Sequence, residues 1–211
     1  EEWKRIDHCM RILVTGCEGF IGGEIFKRLV KQENYVVGYD IANHGGDYDI
    51  GEVYKIIKAN NLDAVIHCGA ISSTAEKNYD KVMHFNYDFT RDLIDICHEF
   101  GVLLQISSSA SIYGNQLRRP FKEDDPLNPQ SLYAFSKCLC ERYAMKKIYE
   151  EGAFIQIFRY FNVFSYEGLE NHKGSQSSPH HKFIKLIKEN KEVEFFKHKD
   201  LSDLNRRDFI H

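Results

Sequence analysis

The stretch that decides the fold is residues 11–22, which read RILVTGCEGFIG. An apolar run with the character of a buried strand leads directly into a G-x-x-G-x-x-G pattern and then into a helical pattern. Glycine permits a tight turn, lets the backbone approach a pyrophosphate and lets the helix pack closely on the strand. The N-terminus of the helix offers free N–H groups to phosphate. A plain glycine turn is the alternative, but this order of elements predicts a dinucleotide site. Its residues are Gly16, Gly19, Phe20, Ile21 and Gly22.

Short apolar runs alternate with longer amphipathic runs along the rest of the chain. The apolar runs are typical of parallel strands buried on both faces. The predicted strands are Arg11–Thr15, Tyr35–Tyr39, Ala64–Cys68, Val102–Ser107 and Phe154–Tyr160. The amphipathic runs place apolar residues at helical spacing. The predicted helices are Phe20–Lys31, Val82–Phe100, Tyr133–Glu150 and Pro179–Glu189. This alternation predicts an α/β fold, a doubly wound parallel sheet of Rossmann type.

The predicted organisation is a dinucleotide-binding Rossmann domain over residues 10–165 and a partial substrate-binding lobe over residues 166–211. The strand–helix rhythm stops after the fifth strand. Residues 162–178 are rich in Ser, Gly and Asn, which is typical of a loop, and Val193–Phe196 has the pattern of a short strand. Because the sequence stops in a strand-like run, we expect the C-terminal lobe to be incomplete.

Composition excludes several classes of protein. Hydrophobic residues make up 43% and charged residues 28% of the 211 residues, as in globular proteins. The formal charge of -3 argues against a nucleic-acid surface. No apolar stretch approaches the roughly 20 residues that span a bilayer, and the N-terminus lacks a secretory pattern. Six cysteines without that pattern indicate reduced thiols, with Cys68 and Cys97 as small core residues, and a cytoplasmic protein.

An acidic residue ends the second predicted strand. Asp40 lies about 20 residues beyond the glycines, where a carboxylate accepts hydrogen bonds from the adenosine ribose. No Arg or Lys lies between Asp40 and Lys55 to hold a 2′-phosphate. NAD is therefore favoured as the cofactor, with NADP as the alternative. Asp49 and Ile50 are candidates for contact with the adenine, and a solvated acidic loop is the other interpretation.

Tyr133 and Lys137 are four residues apart at the start of a predicted helix, which places them on one face. A phenol, with an ordinary pKa of about 10, is a weak base at neutral pH. A nearby ammonium favours the phenolate, so the pair can move a proton to or from a sugar hydroxyl during hydride transfer. Residues 107–109 are serines at the end of the fourth strand, where a hydroxyl can bond the reacting oxygen. Tyr and Lys at this spacing are common by chance, and the order of all three features carries the prediction.

Five motifs together make the sequence resemble the extended short-chain dehydrogenase/reductase superfamily. They are residues 15–22 (TGCEGFIG), 67–70 (HCGA), 107–114 (SSSASIYG), 133–137 (YAFSK) and 159–163 (RYFNV). The resemblance implies NAD(P) as cofactor and Ser109, Tyr133 and Lys137 as the catalytic set. It also implies that Gly69 and Ala70 pass beside the cofactor. The resemblance further implies that Asn86 belongs to the cofactor site, where it supports the neighbouring helix.

Within that superfamily, the chain resembles the ADP-L-glycero-D-manno-heptose 6-epimerases. The resemblance rests on residues 69–74 (GAISST), 172–175 (HKGS) and 206–209 (RRDF). In that family a lysine of the His-Lys-Gly segment is a candidate second acid/base, and the matching position is Lys173. Ala110 and Ser111 stand where sugar-nucleotide dehydratases carry an Asp-Glu pair. The segment between Asp40 and Ala64 is shorter than in the heptose epimerases.

The resemblance leads us to expect an epimerase that acts on a nucleotide-activated sugar such as an ADP-heptose. The carbon is oxidised to a ketone and then reduced again with bound NAD(P). The alternatives are a UDP-hexose 4-epimerase, a net sugar-nucleotide oxidoreductase and, last, a non-enzymatic nucleotide-sensing module. The residues expected to contact substrate are Ser72, Ser73, Ser109, Asn162, Lys173 and Arg207.

No metal site is predicted, because His180 and His181 are adjacent and so point to different helix faces. The helices Val82–Phe100 and Tyr133–Glu150 are apolar on more than one stripe. Such helices often pair across a two-fold axis, so a homodimer or a larger homo-oligomer is expected. Burial of both helices on the sheet is the competing explanation.

Overall fold

A computed structural model describes residues 9–115, 120–164, 179–192 and 209–210 of the chain. Lys173 and Arg207 lie outside the described residues, as does the predicted strand Val193–Phe196. The chain divides into two compact units, Glu1–Phe158 and Arg159–His211. The predicted domain boundary, near residue 165, remains a prediction.

The first unit is built on a five-stranded sheet with the order β2-β1-β3-β4-β5. Pairs β1–β2, β1–β3 and β3–β4 are parallel. The strands are β1 Arg11–Thr15, β2 Tyr35–Tyr39, β3 Ala64–His67, β4 Leu103–Ser109 and β5 Ile155–Tyr160. All five predicted strands are present and the predicted fold class is confirmed. The strand order reverses between β1 and β3, and this is the place where open parallel sheets bind their ligands.

The helices of this unit are α1 Phe20–Lys31, α2 Ile50–Asn60, α3 Tyr79–Val82, α4 Phe89–Glu99 and α5 Leu132–Glu151. Residues Met83–Asp88 form a π-helical segment that joins α3 to α4. The helix predicted from Val82 therefore begins three residues earlier, at Tyr79, where Asn78 caps it by accepting a hydrogen bond from Lys81 N–H. Helix α2 was not predicted, and it begins where Asp49 and Ile50 had been assigned to an adenine contact or a loop.

The main hydrophobic core lies between the sheet and three helices. Helix α4 packs against α2 and α5, and both α4 and α5 pack on β4. Fully buried side chains from the strands and these helices fill the space between them. They include Leu13, Val53, Val65, Leu93, Leu104 and Ile106. Helix α1 packs on β1 and β2, so that its N-terminus lies at the carboxyl end of β1.

The second unit contains β6 Asn162–Val163, α6 Pro179–Lys188 and β7 Phe209–Ile210. Strand β6 pairs in parallel with β7. Asn162 and Val163 had been predicted to belong to a loop, and that assignment was wrong. Each residue of β6 pairs with a residue 47 positions later in the sequence, which a local pattern cannot reveal. No helix in the described ranges is long and apolar enough to cross a membrane.

Candidate active site

The glycine turn follows β1 and is closed by short backbone contacts. Gly16 has φ +72°, in the left-handed region, and its N–H donates to the Tyr39 carbonyl at 2.8 Å. A Cβ at Gly16 would lie 2.6 Å from the Gly69 nitrogen, and a Cβ at Gly22 would collide with the Gly16 carbonyl. Glycine is therefore required at both positions by close backbone approach, as in a turn that cradles a pyrophosphate.

A pocket opens beside this turn at the carboxyl ends of β1, β2 and β3. Its lining combines glycines and small residues near the turn with aromatic side chains from the π-helical segment and α4. The lining residues are Gly16, Glu18, Gly19, Tyr39, Asp40, Ile41, Ala42, Cys68, Gly69, Ala70, Ile71, Phe85 and Phe89. Gly69 and Ala70 thus lie where a cofactor was expected to pass. Cys68 had been interpreted as a core residue, but it is half-buried and faces this pocket.

Asp40 lies in the pocket wall with both carboxylate oxygens engaged by the backbone. One oxygen accepts from Glu18 N–H at 3.0 Å and the other from Ala42 N–H at 3.0 Å. The side chain therefore joins the glycine turn to the end of β2. The carboxylates of Asp40 and Glu18 disfavour a 2′-phosphate on the adenosine ribose, and no Lys or Arg lines this pocket in the described part of the chain.

We expect Asp40→Ala to weaken NAD binding and to narrow the preference for NAD over NADP. The change removes an acceptor for ribose hydroxyls and breaks the hydrogen bond from Glu18 N–H. It also removes a negative charge that repels a 2′-phosphate. Loss of charge-assisted hydrogen bonds corresponds to about a tenfold loss of NAD affinity. Fluorescence titration with both dinucleotides measures the two affinities. An unchanged ratio of affinities would contradict the role assigned to this carboxylate.

Asp49 acts as the N-cap of α2. Its carboxylate accepts from Glu52 N–H at 3.0 Å, and its own N–H donates to the Tyr39 hydroxyl at 2.7 Å. Neither Asp49 nor Ile50 belongs to the pocket lining. The observed role of Asp49 is to start a helix, and contact of Asp49 and Ile50 with an adenine remains a prediction.

Helix α5 carries Tyr133 on its first turn. Ser131 caps the helix by accepting from Ala134 N–H at 3.1 Å. Lys137, one turn further along, is 2% exposed, and its ammonium donates to the Ser107 carbonyl at 2.8 Å. A buried ammonium is therefore fixed against the carboxyl end of β4, on the helix face that it shares with the half-buried Tyr133.

The three serines at the end of β4 have different partners. Ser107 supplies the carbonyl for Lys137, and its hydroxyl lies 3.3 Å from the Cys68 sulfur. Ser108 is buried and donates to the Glu141 carboxylate. Ser109 is half-buried, and its hydroxyl oxygen accepts from Ser111 N–H at 3.2 Å and from the Ser111 hydroxyl at 2.9 Å. Both bonds use lone pairs of the Ser109 oxygen, and neither uses its hydrogen.

Comparisons with known proteins also indicate a dinucleotide-binding enzyme family. Residues 12–211 match the NAD dependent epimerase/dehydratase family. The chain belongs to this family. It is 32% identical to the ADP-L-glycero-D-manno-heptose-6-epimerase of Brachyspira hyodysenteriae, over 95% of this chain and 68% of that protein. The predicted membership of the epimerase/dehydratase family is therefore confirmed.

Two solved structures of epimerases are similar to the chain. The UDP-N-acetylglucosamine 4-epimerase of Methanobrevibacter ruminantium has a TM-score of 0.79 and 28% identity, over 95% of this chain and 68% of that one. The UDP-glucose 4-epimerase of Brucella ovis, in complex with NAD, has a TM-score of 0.66 and 27% identity, over 73% and 52%. The chain thus spans from about half to two thirds of these relatives. NAD, the predicted cofactor, is the cofactor of the family and of the Brucella complex.

In this member of the NAD dependent epimerase/dehydratase family, Asn86 holds the loop that lines the pocket. Its side-chain oxygen accepts from Ile71 N–H at 2.8 Å, and its amide donates to the Ile71 carbonyl at 3.1 Å and to the Ser136 hydroxyl at 3.0 Å. Asn86 lies in the π-helical segment, is fully buried and lies outside the pocket lining. Its contacts support the loop beyond Gly69 and the first turn of α5.

The remaining predicted site residues have mixed outcomes. Phe20 and Ile21 begin α1, and Gly22 packs against the glycine turn. Ser73 caps a local turn by accepting from Ala75 N–H at 3.3 Å, while Ser72 is exposed. Asn162 belongs to the second unit. Their roles toward cofactor or substrate remain predictions.

The last residue of β3, His67, is quoted in the sequence analysis only as part of the motif at residues 67–70. His67 is fully buried, with Nδ1 2.7 Å from the Thr15 hydroxyl and Nε2 2.8 Å from the Thr90 hydroxyl. Burial, with a further contribution from the Lys137 charge, lowers the pKa of His67 from 6.5 to about 3. Thr15 and His67 are paired residues at the ends of β1 and β3. Their matching positions at the ends of two predicted strands were the sequence signal that could have indicated this contact.

The lowered pKa of His67 predicts loss of stability in mild acid. Below pH 6.5 the unfolded chain binds a proton at this site that the folded chain does not bind. The contribution of His67 is therefore complete above pH 6.5 and falls by about 1.4 kcal/mol per pH unit toward the folded-state pKa of about 3. Urea unfolding at pH 7.5 and 5.0 measures how much the free energy of unfolding falls between the two pH values. This fall should be about 2 kcal/mol larger for the wild type than for His67→Gln. Equal losses would contradict a neutral His67.

Proposed function

We propose that the protein is an epimerase of nucleotide-activated sugars. The observation that carries the proposal is the buried ammonium of Lys137, held on the Ser107 carbonyl one helical turn from Tyr133. This ammonium lies at the carboxyl end of β4, while the dinucleotide cradle lies at the ends of β1 to β3. The heptose and hexosamine epimerases to which the chain is similar support the same reaction class.

The residues of the site can supply the proton transfers that such a reaction needs. NAD held beside the glycine turn of Gly16 to Gly22 would supply the hydride acceptor and donor for the sugar carbon. Tyr133 takes the proton of the hydroxyl on that carbon as the carbon is oxidised, and an acid/base on the opposite face of the ketone supplies the proton when the ketone is reduced to the other epimer. Lys137 stabilises the phenolate by its positive charge. Ser109 donates its free hydrogen to the same substrate oxygen and so fixes the position of that oxygen.

The substrate that the proposal favours is an ADP-heptose. Support comes from the 32% identity to a heptose epimerase and from the matching HKGS segment at residues 172–175. We propose Lys173 as the acid/base on the opposite face of the ketone, with Arg207 on the diphosphate. The proposed sugar contacts are Ser72, Ser73 and Asn162. A UDP-hexose 4-epimerase is the second candidate, supported by the similarity to the Brucella enzyme.

The proposal is tested by incubating the protein with NAD and either an ADP-heptose or a UDP-hexose. An epimerase produces a new sugar epimer by NMR while absorbance at the reduced-nicotinamide band stays flat. Accumulating absorbance with an oxidised sugar product would assign a net oxidoreductase instead. Binding of NAD without conversion of either sugar would support a nucleotide-sensing module and would contradict the epimerase proposal.

We also propose a cytoplasmic homo-oligomer. Helix α5 exposes the apolar side chains of Phe135, Met145 and Tyr149, the last of which is 78% exposed. Exposed apolar residues on a helix that also packs against α4 support pairing of these helices across a two-fold axis.

A further inference from the structure

A chain of buried hydrogen bonds runs from the glycine turn to the backbone of the catalytic helix. Side chains from β1, β3, the π-helical segment, α4 and α5 form it, and we call it the buried hydrogen-bond chain. Its members are Thr15, His67, Thr90, Asn86, Ser136 and the Tyr133 carbonyl. The side chains of Thr15, His67, Asn86, Thr90 and Ser136 are all 0% exposed. Buried polar groups of this kind are costly unless every donor and acceptor is paired.

The direction of each bond follows from the number of hydrogens that each group carries. Thr90 has one hydroxyl hydrogen. It donates this hydrogen to the backbone carbonyl of Asn86, which can only accept. Thr90 must therefore accept from His67, so that Nε2 of the ring carries a proton. Either the neutral Nε2–H tautomer or the imidazolium satisfies this requirement.

Burial and charge exclude the imidazolium. His67 is fully buried and Lys137 acts on it as a like charge. In the neutral tautomer Nδ1 is a bare acceptor, so the Thr15 hydroxyl must donate to it at 2.7 Å. The lone pairs of Thr15 then face Gly69 N–H at 3.4 Å, in the pocket lining. Along the path of hydrogen bonds from the Gly69 N–H through Thr15, His67 and Thr90 to the Asn86 backbone carbonyl, each group thus has a defined role as donor or acceptor.

The second half of the chain reaches the catalytic helix. Asn86 donates to the Ser136 hydroxyl at 3.0 Å, and Ser136 donates to the Tyr133 carbonyl at 2.8 Å. The π-helical segment places Asn86 on the same inner side as Thr90, four residues later. Single π turns inside helices frequently occur at functional sites. The backbone of Tyr133 is thereby tied to the ends of β1 and β3.

We propose that His67, held as the neutral Nε2–H tautomer between Thr15 and Thr90, is a positioning residue that fixes the catalytic helix relative to the dinucleotide cradle. The proposal rests on the epimerase function proposed above, because it assigns Tyr133 as the group that must be positioned. A displacement of about 1 Å at a reacting group can cost about 100-fold in rate. Loss of one internal bond of the chain should therefore affect turnover more than substrate binding.

The first test is spectroscopic and needs no turnover. Nitrogen-15 NMR of histidine-labelled protein, with His67→Gln to assign the signal, reports which ring nitrogen carries the proton. We expect Nε2 to be protonated and Nδ1 to be bare. A protonated Nδ1, whether in the other tautomer or in an imidazolium at neutral pH, would overturn the proposal.

The second test uses Thr90, which is fully buried and lies outside the pocket lining. Thr90→Val keeps the shape and removes the hydroxyl, whereas Thr90→Ser keeps the hydroxyl. We expect Thr90→Val to lower kcat by about 10- to 100-fold at nearly unchanged KM, and Thr90→Ser to stay near the wild type. Ile57→Val, in the core on α2 and without a polar partner, is the control for lost packing.

The Ile71 N–H donates to Asn86, so its rate of hydrogen exchange reports on the buried hydrogen-bond chain without any turnover. This measurement separates the positioning role of His67 from the proposed epimerase function. If the wild type does not epimerise sugars, the function fails, but faster Ile71 exchange in Thr90→Val than in Ile57→Val would still support the hydrogen-bond chain. If Thr90→Val matches Ile57→Val in both exchange and kcat, the positioning role is wrong even though the enzyme is active.

Discussion

Tyr133→Phe is expected to retain NAD binding and to lose epimerisation by about 10²- to 10⁴-fold, the range for removal of a general acid/base. The phenyl ring keeps the packing at the start of α5 but cannot accept or return the hydroxyl proton. The buried Lys137 ammonium keeps its bond to the Ser107 carbonyl, so the helix should stay in place. Steady-state rates with the preferred sugar and a dinucleotide titration measure the two effects.

Tyr149→Phe is the matched control for this change. It removes a phenol from the same helix at a side chain that is 78% exposed. Its rate and NAD affinity should equal those of the wild type. Near-wild-type turnover in Tyr133→Phe would remove this residue from the mechanism, and equal losses in both variants would indicate general damage to the helix.

Gly16→Ala is expected to abolish measurable NAD binding, with affinity at least about 100-fold weaker, equivalent to about 2.7 kcal/mol. The new Cβ would lie 2.6 Å from the Gly69 nitrogen, which belongs to the backbone of the pocket wall. Either the turn or the loop must move, and both line the cradle. Left-handed backbone at a non-glycine residue adds a strain of about 1 to 3 kcal/mol.

Gly45→Ala separates backbone strain from the clash. Gly45 has φ +71°, almost the same as Gly16, but no atom lies within 4 Å of its Cβ position. This variant should lose stability through strain alone and keep its affinity for NAD. Calorimetric titration and thermal unfolding of the two variants provide the comparison. Equal NAD affinities in both would show that the close approach of Gly16 to Gly69 is not needed for the cofactor.

Local patterns predicted the parts of the fold and site that local chemistry determines. The run from Arg11 to Gly22 contains its own strand, turn and helix start, so its structure follows from neighbouring residues. The spacing of Tyr133 and Lys137 needs only a helix. Helix α2 was missed although an aspartate at residue 49 followed by a glutamate at residue 52, ahead of Val53 and Ile57, is a recognisable sequence pattern for a helix start.

The features that sequence could not supply depend on contacts between distant segments. Asn86, in the π-helical segment, is hydrogen-bonded to the Ile71 backbone 15 residues earlier, and β6 pairs with β7. His67 has the sequence pattern of an ordinary strand residue. Its role depends on Thr15, 52 residues earlier, and Thr90, 23 residues later. No periodicity encodes such a triad.

In the proposed reaction the sugar carbon inverts by oxidation and reduction, and only the hydroxyl proton passes to and from protein side chains. Running the reaction in D₂O tests this claim directly, with the product and the recovered substrate examined by NMR and mass spectrometry. We expect the inverted carbon to keep its original hydrogen, because that hydrogen never exchanges with solvent in this reaction. One deuterium on the inverted carbon would show deprotonation at carbon and would rule out inversion by hydride transfer.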